Sequence, residues 1–389
     1  MQRRILLGVT GGIAAYKAVF LARRLVEEGA DVRVVMTDAA QHFVGSQTFS
    51  AVTGNRVHTD LFGAISPHTE LGQWAEAIVV APATATTIAK AAGGLGDDLL
   101  SATLLATKAP VLFAPAMHTE MWEHPATQRN VTTLREDGCR FVGPTSGALA
   151  GGDVGEGRMV EPDEILVAVA AMLDPSLEGW RFLVTAGGTR EPIDPVRFIG
   201  NRSTGKMGYA IARAAARRGA DVVLVSASAF PVPPGVTIVP VETAQQMADA
   251  VGRSVDGCDV VVMAAAVADF RPADPQPTKI RRADGPPRLE LAPTVDILGG
   301  LGVGDADRPF IVGFAAEAGP VEGARVKAAR ADLTVANDIT AAGSGFGTDT
   351  NQVTVFDTEG NAEEWPILSK DEVAGRLLDL IRRKATPRR

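Results

Sequence analysis

Five histidines, His42, His58, His68, His118 and His124, lie in the first third of this 389-residue chain, and none follows. Imidazole acid–base chemistry is therefore confined to that part, and the remainder must work with charge, amides and lysine. In the remainder, "GNRSTGK", ending at Lys206, has the spacing of a phosphate-cradling loop. Met207, however, stands where such a loop needs a hydroxyl to ligate the nucleotide's magnesium. The segment "TREPIDPVRFIGN" also separates Lys206 from the strand-like "RFLVTAGG", too far for a tight cradle. Lys206 is thus expected to be a surface lysine at a helix start. Near the N-terminus, "GVTGGIAAYK" sets Gly8, Thr10, Gly11 and Gly12 between a strand and a helix, where backbone N–H groups can hold a phosphate. "APATATTIAK" repeats the device with Thr84, Thr86 and Thr87. Hydroxyls at such positions either cap the helix or bind a phosphate. Two of these turns at neighbouring strand ends would face one crevice.

Turns of this kind need a particular frame. "ILLGVTGG" followed by "GADVRVVMT", and "FLVTAGGT" followed by "GADVVLVSA", each read as a buried strand, a Gly-rich turn, an Ala-rich helix and a second strand. That is the opening βαβ unit of a parallel sheet covered on both faces. Its double occurrence implies an α/β protein of two doubly wound, Rossmann-like domains. Further strands are expected at 77–81, 111–114 and near Phe141, and then at 259–265, 309–315, 332–337 and 352–357. Asp174-Pro175 in "MLDPSLEGW" ends a helix, which places the domains at 1–177 and 178–389. The Pro-rich "RPADPQPTKIRRADGPPRLELAP" reads as a protruding hairpin. A formal charge of −8 argues against nucleic acid as the partner, and the basic "RRKATPRR" reads as a solvated end. No apolar stretch approaches the ~20 residues of a membrane span, and no leader-type cleavage site follows the first short apolar run. Cys139 and Cys258 stand far apart with no CxxC pair, which fits a reducing, cytoplasmic setting. No metal-ligand set is legible.

The first domain carries two more marks, "SPHTELGQWA" around His68 and "APAMHTEMWEHP" around His118. With them, residues 1–172 resemble the flavin-dependent cysteine decarboxylases, in particular the phosphopantothenoylcysteine decarboxylase family, marked by a His ahead of "WA" and by P-x-M-N-x-x-M. The resemblance implies a flavodoxin-like fold and a bound FMN that borrows a hydride and returns it around the loss of carbon dioxide. It implies His68 as a base near the substrate thiol, Pro115 and Met117 shaping the carboxylate pocket, and Gly11, Gly12, Thr37, Thr84 and Thr87 around the FMN. The chain departs from the pattern in three places. His118 replaces the Asn that holds the leaving carboxylate, and an imidazole can donate a hydrogen bond or charge there. Gly151, in "AGGDVGEGRM", stands where the family has a proton-donating cysteine. Thr86 and Asp98 replace asparagines near the flavin.

In the second domain, "TAGGTREPIDPVRFIGNRSTGKMGYAIA", "AAAVADF", "VGFAAE" and "LTVAND" closely resemble phosphopantothenate–cysteine ligase over residues 181–384. The resemblance implies a nucleotide-binding parallel sheet and two-step chemistry, in which CTP, with Mg2+, first activates the carboxylate of 4′-phosphopantothenate as an acyl-cytidylate that cysteine's amine then attacks. Splitting one difficult step in two is a general strategy. Lys279 would lie against the α-phosphate and Asn201 would hold the acyl group. Gly187, Gly188, Ala265, Asp269, Val295, Asp296, Ile297, Leu298, Phe314 and Lys327 would surround the nucleotide. Together the resemblances imply a two-activity enzyme of the coenzyme A pathway whose partners are small molecules, without nucleic acid or membrane. They also imply a homo-oligomer in which decarboxylase trimers are joined through ligase dimers. The competing expectation is a ligase whose impaired decarboxylase-like half serves as an oligomerisation or regulatory module. A dinucleotide-binding Rossmann enzyme is opposed by the missing GxGxxG.

Overall fold

In a computed structural model the chain divides into two compact units, Met1–Asp174 and Pro175–Arg389. The structure describes residues 3–62, 65–149, 151–282, 285–302, 308–323, 330–341 and 343–388.

The first unit is a doubly wound α/β layer structure. Its strands β1 (Arg4–Val9), β2 (Asp31–Met36), β3 (Val57–His58), β4 (Ala77–Ala83), β5 (Val111–Pro115) and β6 (Arg140–Phe141) form a parallel sheet in the order β3-β2-β1-β4-β5-β6. Strand alternation sends successive side chains to opposite faces. Ile5, Leu7 and Val9 pack with α1 (Ala15–Glu27) and Phe49 of α3 (Ser46–Thr53), beyond the short α2 (Asp38–Gln41). Leu6, Ile78 and Val80 face the other way, onto α4 (Pro67–Trp74), α5 (Ala85–Ala92), α6 (Leu99–Ala106), α7 (Thr119–Glu123) and α8 (Pro125–Glu136). An antiparallel hairpin follows, β7 (Thr145–Ala148) and β8 (Val154–Arg158), and then α9 (Pro162–Leu173), whose Ile165 and Val169 join the α1 side of the core. Each fully buried aliphatic side chain here is worth roughly 1.5–3 kcal/mol, so this alternation, summed over the strands, holds the layers in register.

The second unit repeats the plan with β9 (Arg181–Ala186), a small antiparallel pair β10 (Arg190–Pro192) and β11 (Phe198–Gly200), α10 (Lys206–Ala216), β12 (Asp221–Ser226), β13 (Val236–Pro240), α11 (Ala244–Ser254) and β14 (Val260–Met263). The Pro-rich excursion is bounded by the antiparallel pair β15 (Phe270–Pro272) and β16 (Leu291–Pro293), as the hairpin reading expects. Then come β17 (Phe310–Glu317), β18 (Leu333–Asp338), β19 (Thr350–Asn351), β20 (Thr354–Asp357), β21 (Ala362–Glu364), β22 (Leu368–Ser369) and α12 (Lys370–Lys384). The sheet order is β13-β12-β9-β14-β17-β18-β20-β21. The strands are parallel through β18, and β20 and β21 add an antiparallel edge, so the sheet is mixed where the sequence reading expects parallel strands only. The reason is connection length: β20 and β21 are joined by a tight turn around Gly360, which cannot return the chain parallel. Among the described residues no helix is long and apolar enough to cross a membrane.

Candidate functional site

The first unit encloses a cavity of about 960 Å³ at the carboxyl ends of β1, β2, β4 and β5. This is where the sheet's strand order reverses between β1 and β4, the position at which doubly wound sheets bind ligands. The two Gly/Thr turns meet here. Thr10 Oγ1 donates to the Pro82 carbonyl at 2.7 Å and accepts from the Thr84 N–H at 3.2 Å, which ties the turns together. Thr84 caps α5, accepting from the Thr87 N–H at 3.4 Å, and Thr37 caps α2, accepting from the Ala40 N–H at 3.3 Å. Capping leaves these hydroxyls in place beside backbone N–H groups that favour an anion. Gly11 is required by close approach, because a Cβ there would lie 2.4 Å from that of Ala39. Gly12 meets nothing closer than 3.8 Å, so its role is not steric.

At the other end of the cavity stand Met117, His118, Leu149 and Arg158. Gly157 lets the hairpin approach, since a Cβ there would be 2.3 Å from the Met117 carbonyl. His118 Nδ1 is hydrogen-bonded to Glu120, and Nε2 lies 3.2 Å from Asp153 Oδ2 in the β7–β8 turn. The hydrogen bond to Glu120, more than the charge of Asp153, raises the pKa of the imidazole above its usual value. Lys17, buried, donates to Glu161 at 2.8 Å and to the Met159 carbonyl at 3.2 Å, and Arg158 shares the same carboxylate oxygen at 2.7 Å. These two cations at the cavity wall were not among the residues expected from sequence, because a lysine inside an Ala-rich helix reads as a solvated one. Asp98 caps α6 and pairs with Lys90 at 2.8 Å.

The other histidines are elsewhere. His68, in the first turn of α4, is not among the described residues lining the cavity, and its Nδ1 is buried without a partner. His124 caps α8, accepting from the Ala126 N–H at 3.1 Å, and His58 sits in β3, where burial, ahead of Arg56 and Arg33, lowers its pKa.

The second unit holds a cleft of about 110 Å³ at the ends of β14, β17 and β18, lined by Thr204, Ala265, Phe314, Asn337, Asn351 and two lysines, Lys206 and Lys370, with others. Gly187, at φ +89°, and Gly205, at φ +88°, both crowd Ser228, whose hydroxyl a Cβ would meet at 2.5 and 2.3 Å. A Cβ on Gly188 would lie 2.7 Å from the Asn201 carbonyl. Asn201 Nδ2 donates to the carbonyls of Ala266 and Val267, 3.1 Å each, and so stands beside the cleft. Lys279 is exposed on the excursion. Its neighbour Ile280 is anchored, the N–H donating to Asp194 at 3.2 Å and the carbonyl accepting from Arg197 at 3.3 Å. Asp269 and Val295 are exposed, and Asp296 is paired with Arg330. Ile297, by contrast, is buried in the core with Leu183 and Val261, and the partly buried Leu298 packs against them, so these side chains hold the loop. Lys327 lies outside the described residues.

Lys206 is more than a surface lysine. It begins α10 and reaches Asp349 at 2.6 Å and the Gly347 carbonyl at 3.0 Å. Lys370 begins α12 and is buried, donating to the carbonyls of Thr348 at 2.6 Å and Gly345 at 3.3 Å, and burial holds its pKa below the usual lysine range. The sequence carries no signal for Lys370, whose neighbours in space are distant along the chain.

Comparison with known proteins agrees with this division. Residues 1–174 match the family model described as Flavoprotein. Residues 177–384 match the one described as DNA/pantothenate metabolism flavoprotein C-terminal domain. The coenzyme A biosynthesis bifunctional protein CoaBC of Mycobacterium tuberculosis (strain ATCC 25618 / H37Rv) is 48% identical over 98% of this chain and 96% of its own length. That of Bacillus subtilis (strain 168) is 46% identical over 98% and 97%, and that of Vibrio cholerae serotype O1 is 45% identical over 97% and 98%. A solved C-terminal domain of a coenzyme A biosynthesis bifunctional protein CoaBC is 43% identical, with a TM-score of 0.45 over 54% of this chain and 97% of that one. End-to-end identity of this order, with both halves matched in the same sequence, means that the chain belongs to the family of coenzyme A biosynthesis bifunctional proteins.

Proposed function

We propose that the chain performs two successive steps of coenzyme A biosynthesis. Residues 178–389 join cysteine to 4′-phosphopantothenate at the expense of CTP, and residues 1–177 decarboxylate the 4′-phosphopantothenoylcysteine so formed to 4′-phosphopantetheine with FMN. The observation that carries the decarboxylase reading is the 960 Å³ cavity, with its Gly/Thr helix starts at one end and Met117 and His118 at the other. Its volume suits a cofactor with part of a substrate. Gly11, Gly12, Thr37, Thr84 and Thr87 would hold the flavin's phosphate end, and Gly11 has no room for a side chain. Bound FMN supplies a reversible two-electron sink, which lets the carbon beside sulfur be oxidised so that the electrons left by carbon dioxide are delocalised. Pro115 and Met117 shape the space around the carboxylate, to which His118 presents a cationic N–H. His68, which does not line the cavity of its own chain and whose Nδ1 is buried without a partner, would serve as base near the thiol from another copy.

In the ligase half, Asn201 is bonded to the Ala266 carbonyl beside the cleft, which Ala265 and Phe314 help to line. Asn201 would hold the acyl group, and Lys279 would stabilise charge on the α-phosphate. Asp269, Val295 and Asp296 would contact the nucleotide, and magnesium would travel on its phosphates, as it commonly does. Phe20, exposed on α1, with Ile13 and Tyr16, exposed beside it at the cavity, supports self-association. Trimers joined through dimers would give about twelve chains in a closed particle, and a light-scattering mass of one chain would remove that reading. The function itself is tested by two measurements on the purified protein: a yellow flavin absorbance, and pyrophosphate release from CTP that requires phosphopantothenate. A colourless protein that releases none overturns both halves.

A further inference from the structure

Decarboxylation breaks one C–C bond, releases carbon dioxide and leaves the bonding pair on the carbon that carried the carboxylate, conjugated with the neighbouring C–S group. A new C–H bond must form there with one proton from the enzyme, while bound FMN would supply the reversible two-electron sink that takes up and gives back the adjacent carbon's hydride. No outside oxidant or reductant is needed, but a proton donor is. We propose that His118 is that donor, the catalytic acid of the first unit's cavity; the proposal rests on the decarboxylase reading above and adds to it a second role for this residue.

Four observations carry it. First, among the described residues that this chain itself gives to the cavity, His118 has the only imidazole, the side chain whose proton moves most readily near neutrality, and His68 of another copy is already assigned as the base near the thiol. Second, the cavity's two lysines are engaged: Lys17 by Glu161 and the Met159 carbonyl, and Lys90 by Asp97 and Asp98 at 2.8 Å each. Arg158 is held by Glu161 at 2.7 Å. Third, both imidazole nitrogens meet carboxylates, Glu120 from α7 and Asp153 from the β7–β8 turn, which are the charged groups the structure places against the ring. They favour the protonated form, and at 80% and 70% exposure they connect it to bulk water for reprotonation. Fourth, Gly151 leaves room beside Nε2. A Cβ there would lie 3.3 Å from that nitrogen and 3.4 Å from Asp153 Oδ2, so a side chain at 151 would stand against the edge from which the proton leaves. Asp153, in an exposed turn, can give up Nε2 to a substrate carbon while Glu120 keeps Nδ1.

The test separates carbon dioxide release from proton delivery. His118→Gln keeps an N–H to hold a carboxylate but has no transferable proton. With flavin-loaded protein and 4′-phosphopantothenoylcysteine, the ratio of saturated product to carbon dioxide released in the first turnover should fall about 10²-fold or more, with the unsaturated thiol accumulating in place of product. For the native protein, product formation should decline as pH rises through the raised pKa of His118, because the acid form is lost, and His118→Gln should lack that limb. In His118→Ala that retains its flavin colour, millimolar imidazole should restore product. Equal loss of carbon dioxide and product in a yellow His118→Gln, an unchanged product rate, or no rescue of His118→Ala by imidazole would each overturn the proposal. A native protein that binds flavin and releases no carbon dioxide overturns the decarboxylase reading itself, and this inference with it.

Discussion

Both units present the carboxyl edge of a parallel sheet, yet the first surrounds 960 Å³ of space and the second 110 Å³. The difference lies in what spans the opening. In the first unit the helix starts are held by local caps, Thr84 on α5 and Thr37 on α2, and the β7–β8 hairpin stands clear of them, meeting the wall at Met117 and His118. In the second, the glycine-rich segment around Gly345 and Gly347 is tied down by two lysines from helix starts, Lys206 and Lys370. The first site also keeps its cations on its own carboxylates, Lys17 on Glu161 and Lys90 on Asp98, whereas in the second the ammonium groups of Lys206 and Lys370 hold the segment that borders the cleft.

The largest expected effect separates the two regions outright. His68→Asn should abolish carbon dioxide release and leave CTP-dependent ligation intact, measured on the same preparation. Full decarboxylation by the variant would show that His68 serves only the start of α4, and equal loss of both activities would point to a folding defect. Next in size, Lys279→Gln should cost about 10² to 10³ in ligase turnover, by analogy with a lost oxyanion donor, with decarboxylation untouched. Asn201→Asp should instead hinder the acyl-cytidylate or its attack by cysteine, because it sets a negative charge beside phosphate. The measurement is pyrophosphate release with and without cysteine, and a native rate in Lys279→Gln would make that lysine a surface residue.

Smaller effects probe how each region is held. Gly11→Val drives side-chain atoms into Ala39, where even a Cβ would be 2.4 Å away. Overpacking of that kind costs about 1–3 kcal/mol, so flavin should bind roughly 10- to 100-fold more weakly by fluorescence titration. Binding at native strength would place the phosphate cradle elsewhere. Lys370→Met should lower stability by about 1–3 kcal/mol, since it leaves the Thr348 carbonyl without its ammonium donor and the Gly345 carbonyl with the Thr348 hydroxyl alone. Denaturant unfolding checks this, and a neutral result would mean that water or a neighbouring amide replaces the ammonium.

Much of the frame is legible along the chain because its causes are local. The apolar runs of β1, β4, β9 and β14 must be buried on both faces, and glycine after a strand with alanine after that reads as a βα turn. Strands β4, β5, β17, β18 and β20 accordingly fall where alternation and turn residues place them. The Gly/Thr turns announce a crevice for the same reason, since a helix start exposes its N–H groups wherever it occurs. What the chain does not announce is any group whose importance comes from a distant neighbour. Lys17 is an ordinary helix residue until Glu161 lies 2.8 Å away, Lys370 until the Thr348 carbonyl lies 2.6 Å away, and His118 until Asp153 folds over it. Ile297, too, has its side chain buried in the core with Leu183 and Val261, which the sequence does not show. Backbone propensity and burial act through neighbours in sequence, and so the sequence determined the sheets, the turns and the family. Charge pairing and enclosure act through space, and so only the tertiary structure decided which lysines, which histidine and which empty position at Gly151 share a site.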